Sequence, residues 1–148
     1  MTHFERTLDI DAAPDAVWAV LGRFMHVDEY SPLITSVDAL TTGEDGVGSK
    51  RRCNFDNGTS VIEEVTVWEP NSKYRVQLLE NSTLPMHEMH AELAVQPLAS
   101  GRTKVIWSLD YRMKYGPFGW LLGQTMLKIF MGKIIKANLK ALNDCVKA

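Results

Sequence analysis

A chain of 148 residues, 45% hydrophobic and 23% charged, has the make-up of one globular domain over 1–148, with enough apolar mass for a core and no sign of disorder. Its formal net charge of −2 gives no overall drive towards nucleic acid or an anionic membrane. The polar N-terminus and the lack of any apolar run near the ~18 residues of a spanning helix argue for a soluble, cytoplasmic protein.

Residues 4–10 alternate apolar and polar, the pattern of a half-buried strand. A helix is expected next, with Pro14 in its first turn and Ala16, Val17, Val20, Leu21 and Phe24 at helical spacing. Gly22 weakens it, and residues 26–32 read as one further short turn stopped by Pro32. Six strands follow: Ile34–Leu40, Val47–Phe55, Thr59–Trp68, Lys73–Glu80, Met86–Gln96 and Thr103–Met113. Asn57-Gly58 is the strongest hairpin signal among them, because it accepts the positive φ of a tight turn. Residues 117–146 then carry one long helical pattern after the start signal Gly116-Pro117. An antiparallel sheet wrapped around that helix is the economical α+β arrangement.

Several near-motifs lack their chemistry. Residues 43–50 approach a phosphate-binding loop, but Ser49 stands where lysine is required and a strand follows instead of a helix. His87 and His90 look like a shortened zinc-protease motif, yet on a strand their three-residue spacing sends them to opposite faces. Cys53 and Cys145 are too few and too far apart to imply a disulfide framework or a zinc site. Neither a metal nor a cofactor is expected.

The segments 12–21, 30–37, 46–52, 63–70 and 103–108 together resemble the START/SRPBCC superfamily, in particular its bacterial polyketide cyclase/dehydrase-like branch. The resemblance implies the helix-grip fold. That fold is a curved seven-stranded antiparallel sheet around a long C-terminal helix, with two short helices after the first strand. It also implies an apolar cavity between sheet and helix. It does not fix function, since the superfamily spans lipid carriers, aromatase/cyclases, hormone receptors and coenzyme Q-binding proteins.

Alternation selects the residues that would face such a cavity. On the strand Met86–Gln96 the inward set is His87, Met89, Ala91, Leu93 and Val95, with Glu88, His90 and Glu92 outside. Val105, Trp107, Leu109 and Tyr111 form the next inward row, and Val61, Glu63, Val65 and Val67 another. Glu63 needs a partner there. Folding at Asn57-Gly58 sets Arg52 opposite it for a two-residue turn, or Arg51 for a three-residue one. The pair is either an orienting charge in the cavity or an ordinary cross-strand ion pair, and His87 either joins it or sits partly exposed at a strand start.

On the last helix Met131, Ile135, Leu139, Leu142 and Val146 form the core stripe, with Lys133, Lys136, Lys140 and Lys147 opposite. Gln124 and Lys128 fall on the core side, which suggests a cavity mouth. Leu122, Met126 and Ile129, with Phe118 and Trp120 nearby, point to an apolar patch over 118–130. It reads as a homodimer surface, a site of transient membrane contact, or packing at the cavity entrance.

The expected function is binding or transport of a small hydrophobic molecule: a lipid, an isoprenoid quinone or an aromatic polyketide-like compound. Its site would draw on Arg51, Arg52, Glu63, His87, Met89, Ala91, Trp107, Tyr111, Gln124, Lys128 and Met131. Two alternatives stand beside it. One is an aromatase/cyclase or dehydratase using His87, Glu63 or Tyr111 as acid and base; the other is an interaction module acting through 118–130.

Overall fold

The computed structural model describes residues 2–56, 58–81, 86–114, 116–118, 121 and 125–147. The chain runs β1 (Thr2–Ile10), α1 (Pro14–Leu21), a 3-10 turn (Phe24–Glu29), β2 (Ile34–Ala39), β3 (Lys50–Phe55), β4 (Ser60–Glu69), β5 (Lys73–Asn81), β6 (Met86–Pro97), β7 (Thr103–Met113) and α2 (Met126–Lys147). The strands form one antiparallel sheet in the order β1-β7-β6-β5-β4-β3-β2.

Period-2 alternation holds over most of this sheet and builds the core. Phe4, Val61, Val65, Tyr74, Val76, Ala91, Leu93, Val95, Val105, Leu109 and Tyr111 are buried. They meet Val17 and Leu21 of α1 and Met131, Ile135, Leu139 and Leu142 of α2. The α2 stripe recurs every three or four residues, so one face of a 22-residue helix lies in the core while its lysines point to water. Gly132 lets that helix approach β1 closely, since a Cβ there would lie 3.2 Å from the Phe4 ring and the Arg6 guanidinium.

Four sequence expectations are revised. The strand foreseen from Val47 begins at Lys50, because Gly46 and Gly48 take positive φ and extend the preceding turn. The single helix foreseen over 117–146 is broken at Thr125, and α2 begins at Met126. Residues 116–118 and Leu121 are helical, but Thr125 is a turn whose hydroxyl donates to the Leu121 carbonyl at 2.9 Å.

The other two revisions come from β-bulges. Thr66 is an extra residue between the pairs Val65 with Val76 and Val67 with Arg75, so Trp68 packs on the core where Val67 was expected. His87 is the extra residue between the pairs Met86 with Met113 and Glu88 with Arg112.

Candidate functional site

A cavity of about 300 Å³ lies between the concave face of the sheet and α2. Its floor is apolar, with Val76, Ala91, Leu93 and Leu109 from the strands and Met131 and Ile135 from the helix. The exposed Leu33 and Asp56 mark where it meets solvent, between the segment after the 3-10 turn and the β3–β4 hairpin.

That hairpin fixes the polar wall. Phe55 N–H donates to the Thr59 carbonyl at 2.9 Å, and Gly58 takes φ +85, which only glycine adopts without strain. Asn54 therefore pairs with Ser60 across a three-residue loop, and Arg51 stands opposite Glu63. Of the two registers open in the sequence, this is the three-residue one. Arg52 pairs with Ile62 and points outward, 3.9 Å from Asp38.

The Arg51 guanidinium is held on three sides. Its Nη2 donates to Glu63 Oε2 at 3.1 Å, its Nη1 donates to the Phe24 carbonyl at 2.6 Å, and it lies 4.0 Å over the Phe24 ring. The 3-10 turn after α1 thus brings Phe24 to the sheet. Arg51 Nε and Tyr30 Oη are buried without a hydrogen-bond partner among the described residues. Burial opposes the Arg51 charge, but the Glu63 carboxylate, with Cys53, Tyr74 and Tyr30 adding to it, outweighs burial and holds the guanidinium more firmly protonated than usual.

Tyr30, Tyr74 and Cys53 are neutral. Burial pushes the Tyr30 phenol well up, aided by Tyr74, and raises Tyr74 in the same way. Burial, with Glu63 second, pushes the Cys53 thiol up to about 12, which leaves it inert. Its Sγ points at Glu63 Oε1 from 3.9 Å.

Of the residues singled out in the sequence, Arg51, Glu63, Met89, Ala91, Trp107 and Met131 line the cavity. Four do not. Arg52 points outward, as above. His87 is exposed because the bulge takes it off the inward row. Tyr111 is fully buried on the inward row but lies in packed core. Lys128 lies in a shallow outer groove with Phe4, Arg6 and Ile129. Gln124 is outside the described residues, as are Trp120 and Leu122 of the patch; Phe118, Leu121 and Ile129 are exposed.

Sequence reasoning missed Tyr30, Ser31, Tyr74 and Asn138, all of which line the cavity. Ser31 Oγ donates to Asn138 Oδ1 at 2.9 Å, a buried bond between the mouth segment and α2. A signal for Asn138 was present: it interrupts the apolar stripe between Ile135 and Leu142. Among the described residues no group of three His, Cys, Asp or Glu side chains could hold a metal, and no helix is long and apolar enough to cross a membrane.

A curved antiparallel sheet gripping a C-terminal helix around an apolar chamber defines a helix-grip protein. The chain belongs to the family described as Polyketide cyclase / dehydrase and lipid transport, which it matches over residues 1–146. Solved structures agree on the fold. A protein of Bacillus thuringiensis, described only as uncharacterised, is 20% identical, with 99% of this chain and 100% of that chain covered and a TM-score of 0.80. The ZhuI aromatase/cyclase of Streptomyces sp. R1128 is 19% identical over 99% and 93%, with a TM-score of 0.81. A point mutant of Thalictrum flavum norcoclaurine synthase in complex with a transition-state analogue is 17% identical over 98% and 93%, with a TM-score of 0.75. A search among curated proteins finds no relative by sequence.

Proposed function

We propose that this protein binds one small apolar molecule between the sheet and α2 and carries it without transforming it. The supporting observation is the cavity of about 300 Å³, apolar apart from the Arg51–Glu63 pair and a few polar groups at its mouth. Its volume is at the lower end of the ~300–1,000 Å³ of small-molecule sites, which favours a compact aromatic compound or a quinone ring over a two-chain lipid. Affinity would come from apolar burial at ~25 cal/mol per Å². Such a carrier would act in the cytoplasm.

The family description and the aromatase/cyclase likeness keep a cyclisation or dehydration reading in view. Moving a proton requires an acid and a base converging on one reacting atom. Of His87, Glu63 and Tyr111 only Glu63 lines the cavity, and it is engaged by Arg51, which favours binding.

The test is mass spectrometry of small molecules released from purified protein. An apolar compound near one per chain is expected, and Ala91→Phe, which fills the cavity from its floor, should lose it while keeping the wild-type circular dichroism spectrum. Protein that releases nothing, and binds no neutral aromatic compound in calorimetry, overturns the reading.

A further inference from the structure

We propose that the cavity rejects carboxylic acids and takes apolar compounds whose polar end is a hydrogen-bond donor, a hydroxyl above all, with Glu63 as the acceptor. This rests on the binding reading above and names the ligand class of the same site.

The charged residues lining the cavity, among those described, are Arg51, Glu63 and Asp56, one cation against two carboxylates. The cation is already committed. Its Nη1 and Nη2 go to the Phe24 carbonyl and Glu63, its face is covered by the Phe24 ring, and its Nε is sealed from the cavity. Within the pair the Arg51 side chain is 5% exposed and that of Glu63 15%, so the carboxylate is the more accessible partner. What a ligand meets is an anion with its counter-charge behind it.

Glu63 has acceptor capacity left. Oε2 receives Arg51, while among the described residues Oε1 has only the Cys53 thiol at 3.9 Å, a weak donor. A ligand hydroxyl donating to Oε1 would form a charge-assisted bond without bringing charge into the cavity. A ligand carboxylate would leave water to lie beside a second carboxylate in a low-dielectric space, with the guanidinium already neutralised. Tyr30 and Tyr74 are held as neutral phenols by burial and add no charge of either sign. Asp56, exposed at the mouth, repels anions before they enter.

Three compounds on one skeleton test this: 2-naphthoate, naphthalene-2-methanol and 2-naphthylmethylamine, compared by titration calorimetry at about pH 8, where the acid is ionised and the amine protonated. The alcohol is expected to bind at least about tenfold more tightly than the acid, with the amine also ahead of the acid. The amine arm tells a neutral donor from a cationic one. Asp56→Asn, at an exposed position, should narrow the gap between alcohol and acid. Glu63→Gln should close or reverse it, because Arg51 then stands uncompensated. Acid binding to the wild type as tightly as the alcohol overturns this inference and leaves the binding reading standing. A folded Glu63→Gln protein with unchanged discrimination overturns it too. If none of the three compounds binds, the inference is overturned, and the binding reading falls with it only where the purified protein also releases no apolar compound.

Discussion

Arg51 and Glu63 face each other across β3 and β4, and losing one differs from losing both. Glu63→Gln leaves a guanidinium that is 5% exposed without its counter-charge, and should destabilise the fold by about 2–4 kcal/mol, somewhat under the range for fully buried pairs because Glu63 is less sealed. Replacing both partners with apolar residues of similar volume, as in Arg51→Met with Glu63→Leu, should recover most of that loss. Urea unfolding of the single and double variants checks this, and a double variant no more stable than Glu63→Gln would contradict it. The existence of an Arg–Glu pair was legible in the sequence, because Asn-Gly sets a hairpin and both candidate arginines are adjacent. Which arginine was not, since that depends on whether the loop holds two residues or three. Phe24 and Tyr30 reach Arg51 only through tertiary packing, so no local pattern could announce them.

Strands were legible as elements because one face of each is in the core, and burial writes itself as period 2. The bulges were not. An extra residue such as His87 or Thr66 costs the sequence nothing recognisable, yet it rotates one side of the strand by half a period, taking His87 off the cavity row and putting Trp68 on the core. The same limit applies to the start of α2, where apolar spacing runs on through the break at Thr125. Within α2 the stripe itself predicts energetics. Leu142→Ala removes a fully buried side chain and should cost about 2–5 kcal/mol, whereas Ile129→Ala, at an exposed position, should stay within about 0.5 kcal/mol. Chemical denaturation of the two variants side by side measures the contrast, and equal losses would mean that this face of the helix does not hold the core.

Across the whole molecule, the outer face of the sheet ties distant strands together through charge. His3 on β1 bonds Asp110 on β7 at 2.6 Å, and Arg75 on β5 donates to the other oxygen of Asp110 at 2.9 Å. The bond to Asp110 raises the His3 pKa above 6.5. Its contribution is therefore complete below pH ~6.5 and is lost as pH rises through the raised value. For Asp110, burial works the other way, but His3 and Arg75 outweigh it and hold the carboxyl below 3.8. Its contribution is present above pH ~3.8 and is lost as pH falls through the lowered value. The pair is fully formed between those limits, so the melting temperature should decline as pH rises past neutrality, modestly because His3 is exposed. His3→Asn should flatten that alkaline arm, and a wild-type profile that stays flat from pH ~6 to ~8 would contradict the assignment.

The tryptophans divide between these levels of structure. Trp107 stands on the cavity wall, whereas Trp18 and Trp68 meet edge to face, 5.4 Å apart, in a cluster with Tyr74. With Trp120, which lies outside the described residues, replaced by Phe, indole emission carries two signals of different origin, one set by occupancy of the chamber and one by integrity of the packing between α1 and the sheet. Replacing Trp107 in that background separates them, turning a single chain into its own control for whether a spectral change means that something has entered or that something has come apart.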